Sequence, residues 1–333
     1  MPIRPAFLAT ILRALLSALV AMLALPAGAE PDRFPVRPVK LVVSYGAGGS
    51  LDAIARVLAA ELSRQFGQPV VVENVPGAGG TLGFRRVASA APDGHTLLVA
   101  STSEVALAPT ANPQARYRAT DLEAIAEIGR SGIVLVGRPD LPAGSLRELL
   151  VLARARPGAL RYATSGAGTL QHLAMESAKR AAGVDIAFVP YKSAAQIVTD
   201  VAGGHIDLAI IGLPAVLPLI REGKVKAYGV TSRKRDAGDR SIPAFAETPG
   251  LEDIDSHLWS GVFAPKGTPA DVVQKIHAAI AAMLRQPDVA HRFAQMGVEL
   301  AEPASAAQFA RAVASQERAL REAFHRSGIQ TEP

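Results

Sequence analysis

A chain of 333 residues, 49% of them hydrophobic and 20% charged, is long enough to bury the cores of two ordinary domains. Its formal net charge of +5 is mild and spread along the chain, which argues against a nucleic-acid partner. With no cysteine, it can hold no disulfide, no thiolate metal site and no lipid-modified cysteine.

The N-terminus reads as an export signal. Arg4 and Arg13 flank or enter an apolar run at 14–25, and Pro26-Ala27-Gly28-Ala29 supplies the small residues of a cleavage site. Cleavage is expected after Ala29, so residues 1–29 are a signal peptide and the mature chain starts at Glu30. The run falls short of the ~20 apolar residues that span a bilayer, which disfavours an uncleaved anchor. No later segment is apolar enough to span a membrane.

After an extended lead-in, residues 39–43 form a β-branched run that reads as a buried strand. The stretch Ser44-Tyr45-Gly46-Ala47-Gly48-Gly49-Ser50-Leu51-Asp52 follows. Ile54, Val57, Leu58, Leu62 and Phe66 then share one face of a helix over 53–66. The glycines therefore occupy a strand-to-helix loop, with Ser50 or Asp52 available as N-cap. Such a loop lets backbone N–H groups crowd around an anion at the positive end of a helix. Taken alone, it is equally a plain tight turn. Asp52 reads as the helix cap in preference to a general base.

The device recurs along the chain. A strand at 70–73 runs into a second glycine loop containing Gly77, Gly79 and Gly80, then a helix to about residue 91. Pro92-Asp93-Gly94 is a turn, and a strand at 96–100 opens into Ser101-Thr102-Ser103. Residues 104–120 read as irregular, 122–128 as a connecting segment and 132–136 as a new strand. A helix at 146–155 leads to a strand at 160–163 and the loop Thr164-Ser165-Gly166-Ala167-Gly168, followed by a helix at 169–182. A strand at 185–189 ends in Pro190-Tyr191-Lys192-Ser193, a helix covers 194–202, and strands cover 208–211 and 225–230. Three helices close the chain, the first beginning after Thr268-Pro269, the others near 288–296 and 305–326. The βαβα alternation predicts parallel or mixed sheets with helices on both faces.

In open α/β sheets, loops of this kind gather at the carboxyl ends of strands, where ligands bind. A dinucleotide fingerprint fails on spacing, because Leu51 and Leu82 stand where a third glycine or alanine is needed. No Walker pattern, nucleophile elbow or His-Glu-x-x-His occurs. His172, one turn past the 164–168 loop, faces the crevice as a donor or sits as a surface histidine. Lys192 reads as solvated in preference to a counter-charge, and Trp259 as core in preference to crevice.

Several segments together resemble the tripartite tricarboxylate transporter substrate-binding family, also called Bug proteins. They are Gly48-Gly49-Ser50-x-Asp52, Val72-Glu73-Asn74-x-Pro76-Gly77-Ala78-Gly79-Gly80, Ala91-Pro92-Asp93-Gly94, Val189-Pro190-Tyr191-Lys192, Gly203-Gly204-x-Ile206-Asp207-Leu208 and Ala264-Pro265-x-Gly267-Thr268-Pro269. The resemblance covers essentially the whole mature chain. It implies an α/β, two-domain periplasmic binding protein of the type II, Venus-flytrap kind, with a ligand cleft between the domains. Domain I would comprise 30–130 and a return at 256–333, and domain II 131–255.

The implied role is a non-enzymatic, monomeric receptor, without cofactor or metal, that passes a small organic carboxylate to membrane permease subunits. The residues expected at the ligand are Tyr45, Gly48, Gly49, Ser50, Asp52, Gly79, Gly80, Ser101, Thr164, Ser165, Gly166, Gly168, Thr169, His172 and Tyr191. Two departures stand out. Gly46 and Ala47 replace prolines common in the family. Ile211-Gly212 replaces a frequent Asp-Asn pair, which removes polar side chains from one wall and counts against an amino-acid ligand. The competing class, an exported α/β hydrolase or isomerase acting on a small carboxylate, is disfavoured because no nucleophile–base pair is apparent.

Overall fold

Val39, Leu41, Val42 and Val43 are all buried, which is what a strand needs when helices cover both of its faces. They form β1 (Val39–Val43) of a computed structural model that describes residues 34–113 and 115–327. The described residues from Arg37 onward belong to the larger of two compact units. The expected export signal and its cleavage site lie outside the described residues.

In the larger unit, β1 is followed by α1 (Ser50–Phe66), β2 (Val70–Asn74), α2 (Thr81–Ala88), β3 (Thr96–Ser101) and a long β4 (Leu122–Gly137). Next come α3 (Leu146–Ala155), β5 (Arg161–Thr164), α4 (Leu170–Ala182), β6 (Ala187–Pro190) and α5 (Ala194–Ala202). Then follow β7 (Leu208–Gly212), α6 (Leu213–Arg221), β8 (Lys226–Val230) and β9 (His257–Pro265). The chain finishes with α7 (Ala270–Leu284), α8 (Pro287–Gln295), β10 (Glu299–Leu300) and α9 (Ala306–Ser327).

The strands make one mixed sheet in the order β2-β1-β3-β9-β4-β7-β5-β6, with β8 and β10 also pairing β4. β1 is parallel to β2 and β3, and β5 is parallel to β6 and β7. β4 joins the two parallel groups. From Leu122 to Gly132 it lies antiparallel to β9, and from Ile133 onward it pairs β7 and β8 instead. The sequence predicts a connecting segment and a separate strand here; the structure has a single strand of 16 residues. Glu123, Glu127 and Arg130 break its apolar pattern, but partners on both sides hold the backbone extended regardless.

Three further differences from the sequence reading bear on the site. Helix α1 begins at Ser50, with Gly49 as N-cap and no side-chain cap. Asp52 therefore lies within the first turn. Residues 103–107 are not irregular but form a π-helical turn, Ser103–Leu107, that runs into Ala108–Ala111. Helix α6 escapes the sequence reading because Pro214 and Pro218 count against a helix. Pro214 sits in the first turn, where its missing N–H costs nothing, and Pro218 gives up one internal bond.

Apolar packing fixes these elements. Phe84 of α2 stacks on Tyr117 with centroids 3.8 Å apart, beside Trp259, Phe263 and Phe309. Tyr162, Leu149 and Leu208 lie in a second cluster under α3 and α4, and Val134, Ile211 and Val216 in a third. Each fully buried side chain of this size contributes roughly 1.5–3 kcal/mol.

Candidate binding site

The loop after β1 is built by hydrogen bonds from below. Asn74, at the end of β2, donates its side-chain N–H to Tyr45 O at 3.0 Å and to Asp52 Oδ1 at 3.1 Å. Asp52 also accepts the Gly48 N–H at 3.0 Å and two bonds from Arg56 at 2.9 and 3.1 Å. Burial alone would raise the Asp52 pKa. The Arg56, Gly48 and Asn74 donors outweigh it and hold the carboxyl below its ordinary value. Asp52 is thus a fixed strut, neither N-cap nor proton acceptor.

Above this strut lies an inner cavity of about 50 Å³. Gly49, Ser50, Leu51 and Ile54 reach it from α1 and its N-cap, Ser101 from the end of β3, and Ser131 from β4. Ser165, Gln171, Ala194, Ile211 and Gly212 line it from the second parallel group, and Leu258, Trp259 and Ser260 from β9. Tyr45 and Ser165 line both this cavity and an outer one of about 660 Å³. The outer cavity is bounded by the glycine loops 77–80 and 166–168, by His172, Lys179 and Arg180 of α4, and by Tyr191 and Lys192.

Among the described residues, none that lines the inner cavity carries a charge. Its polarity comes from serine hydroxyls, from Tyr45 and Gln171, and from backbone. Four helices nonetheless begin at it. Ser50 opens α1, Gln171 is in the first turn of α4, Ala194 opens α5, and Gly212 is the N-cap of α6. Each N-terminus contributes ~0.3–2 kcal/mol toward an anion in a partly buried setting, without any lysine or arginine.

The two parallel groups meet around this cavity. Ser50 Oγ donates to Gly212 O at 3.3 Å, and the Leu170 N–H donates to Ser103 Oγ at 3.1 Å. Glycines permit the approach: a Cβ on Gly48 would lie 3.0 Å from Ala195 Cβ, and one on Gly166 3.5 Å from Gly79 Cα.

Of the residues expected at the ligand, Tyr45, Gly49, Ser50, Ser101 and Ser165 come together at the inner cavity. Gly79, Gly80, Gly166, Gly168, His172 and Tyr191 line the outer one. The His172 ring packs 4.4 Å from Phe188, and the Tyr191 hydroxyl donates to Asp200 at 2.7 Å. Gly48, Asp52, Thr164 and Thr169 line neither cavity. The Gly48 N–H and the Asp52 oxygens are taken by each other and by neighbours. Thr169 caps α4, accepting the His172 N–H and donating to Gly166 O at 2.9 Å. Thr164 Oγ1 is buried without a hydrogen-bond partner.

Trp259, read from sequence as core, is both core and wall. It is 4% exposed, packs edge-on to Phe309, donates its indole N–H to Gln316 and lines the inner cavity. Lys192 lies exposed at the outer rim.

One group behind the wall has no counterpart in the sequence reading. Glu104, in the π-helical turn, is fully buried. Burial pushes its pKa up to about 7, against the lowering effect of donors from Ser101 and Tyr45. Burial first, and then the nearby Glu104 charge, drives the Tyr45 hydroxyl well above its usual pKa. The only local signal for Glu104 is a single acid in the otherwise apolar run Val105-Ala106-Leu107-Ala108 that follows it.

Comparison with known proteins agrees with this architecture. A family model described as tripartite tricarboxylate transporter family receptor matches residues 54–325. The protein BugT of Bordetella pertussis is 35% identical over 290 residues, covering 86% of this chain and 89% of its own. The solved structure of the periplasmic binding protein BugD superposes with a TM-score of 0.85 at 32% identity, over 90% of this chain and 100% of that one. MatC from Rhodopseudomonas palustris, solved with bound malate, gives 0.82 at 32% identity over 87% and 99%. The fold is that of a two-domain periplasmic binding protein, and the chain belongs to the tripartite tricarboxylate transporter receptor family.

Proposed function

We propose that the protein is a periplasmic receptor that closes two lobes around a small organic carboxylate and delivers it, as a monomer, to the permease of a tripartite tricarboxylate-type transporter. The observation that carries this reading is the uncharged inner cavity on which four helix N-termini converge. Such a site neutralises one carboxylate with backbone dipoles and hydroxyls and leaves no fixed charge exposed when empty. The malate bound to the related MatC supports the same ligand class. Ile211 and Gly212 on one wall leave an ammonium group without a partner, which favours a ligand that is not an amino acid.

The exchange of β4 partners at Gly132–Ile133 supports lobes made of 30–130 with 256–333, and of 131–255. Removal of residues 1–29 on export completes the reading. Against the rival hydrolase or isomerase stands the chemistry of the lining, where, among the described residues, no histidine, lysine or carboxylate lies beside the serines of the inner cavity. Glu104 does touch Ser101, but it lies behind the wall and lines neither cavity. A thermal-shift and calorimetric screen of the mature chain against carboxylates tests the proposal. Stoichiometric binding with the acid recovered unchanged is expected. Turnover of the acid, or no response to any carboxylate, would overturn it.

A further inference from the structure

Glu104 is a buried acid for which carboxylate binding as such has no use. Its Oε1 accepts the Ser101 N–H at 2.9 Å, and its Oε2 accepts the Ser101 hydroxyl at 2.6 Å and the Tyr45 hydroxyl at 3.2 Å. Tyr117 donates its hydroxyl to the Glu104 carbonyl at 2.6 Å and closes the far side. Close packing holds the group in place, since a Cβ on Gly80 would stand 2.8 Å from Glu104 Cβ.

The bonds fix hydrogen positions. Once ionised, above about pH 7, the carboxylate only accepts, and the single hydrogen of Ser101 Oγ then points at Glu104. Tyr45 spends its hydrogen on Glu104 or on Gly79 O, 3.1 Å away. Ser101 lines the inner cavity, and what it offers there is therefore a lone pair. A ligand group against that wall has to donate.

We propose, resting on the receptor reading above, that Glu104 is a positioning residue that locks Ser101 as an acceptor and so selects carboxylates bearing a hydroxyl donor over the matching keto acids. An ammonium group also donates, but it needs a charge partner and several acceptors, where Ile211, Leu258 and Trp259 are apolar. A keto oxygen would face the Ser101 lone pair and leave both acceptors unsatisfied.

The test is calorimetry on the mature chain with three matched pairs: lactate and pyruvate, malate and oxaloacetate, 2-hydroxyglutarate and 2-oxoglutarate. It is run at about pH 8, above the about 7 to which burial pushes Glu104, so that the acid is ionised. The hydroxy acid is expected to bind at least about tenfold tighter in the pair whose body fits. In Glu104→Gln the new amide donates to Ser101 Oγ and turns the serine hydrogen toward the cavity, which should abolish or reverse the preference. A merely structural role would weaken both members of a pair alike. Should Glu104→Gln fail to fold, Ser101→Ala decides, and it should cost the hydroxy acid about tenfold while sparing the keto acid. A keto preference in the unmodified chain, or a hydroxy preference that survives the variant, overturns the inference. If none of the six acids binds while adipate or benzoate does, this inference alone fails. If no carboxylate binds at all, the receptor reading fails with it.

Discussion

Ser50 and Gly212 meet at the inner cavity, the serine hydroxyl donating to the glycine carbonyl at 3.3 Å while a Cβ on Gly212 would stand 2.6 Å from Ser50 Oγ. The hydrogen bond ties the first turn of α1 to the cap of α6, so this pair reports whether the two groups of strands are together. Gly212 has φ −65°, which any residue adopts, so a side chain there conflicts with Ser50 and not with its own backbone. Gly212→Asn should therefore leave the melting temperature nearly unchanged and weaken carboxylate binding at least about tenfold. It should also abolish ligand-induced compaction in solution scattering. Wild-type affinity in the variant would show that the contact is dispensable.

Gly49 offers a second probe. It caps α1 with φ −84°, and its added Cβ would lie 3.5 Å from Ala194 Cβ, at the edge of the cavity. The branched methyls of Gly49→Val fill space meant for the ligand. An affinity loss of at least tenfold, about 1.4 kcal/mol, is expected by calorimetry with the fold retained by circular dichroism.

The buried acid also makes a prediction about stability. Burial on folding raises the Glu104 pKa from its ordinary 4.5 to about 7, so between these limits the folded state binds more protons than the unfolded one. Its contribution is fully present below about pH 4.5 and is lost as pH rises through about 7, a decline on the order of 3 kcal/mol. Glu104→Gln should flatten that part of the stability–pH curve in urea denaturation, and an unchanged slope would assign it elsewhere.

Gly83 of α2 marks a place where packing leaves no room. A Cβ there would lie 2.6 Å from Ser44 Cα, a backbone atom that cannot swing aside. Gly83→Ala gains helix propensity, yet it should still destabilise the chain by about 1–3 kcal/mol in chemical denaturation.

Part of the candidate site's lining was legible because it is local. Gly49 and Ser165 each lie between a strand and a helix and Ser50 opens one, and that pattern is written within a dozen residues. What escaped is what long-range pairing brings in. Ser260 reaches the cavity opposite Ser101, and Leu258 opposite Ser131, through registers of β9 with β3 and β4 that no nearby residue encodes. Ile54 reads as an ordinary core position of α1, yet it also lines the cavity. The N-cap expectation for Ser50 and Asp52 failed because a carboxylate three positions inside the helix start can satisfy a loop amide without being the cap. Glu104 was unreadable for a different reason. A lone acid in an apolar segment looks like a solvated residue until the fold closes three donors over it.

The antiparallel pairing of β4 with β9 places Arg130 opposite Trp259, Ser131 opposite Leu258 and Gly132 opposite His257, at the point where the chain passes between the two parallel groups. A crossing made of two strands bonded to each other behaves like an axle. It can twist, and the irregular register at Ala124–Ala126 and Glu127–Gly129 gives it slack, but neither strand can slide without the other. Ser131, Leu258 and Trp259 of this axle are themselves cavity wall. In the proposed receptor, a ligand against these residues would lie beside the crossing itself. If the lobes of the proposed receptor turn about this crossing, the rim residues of the outer cavity travel further than the floor beneath the ligand, and release unroofs a cargo that stays in place.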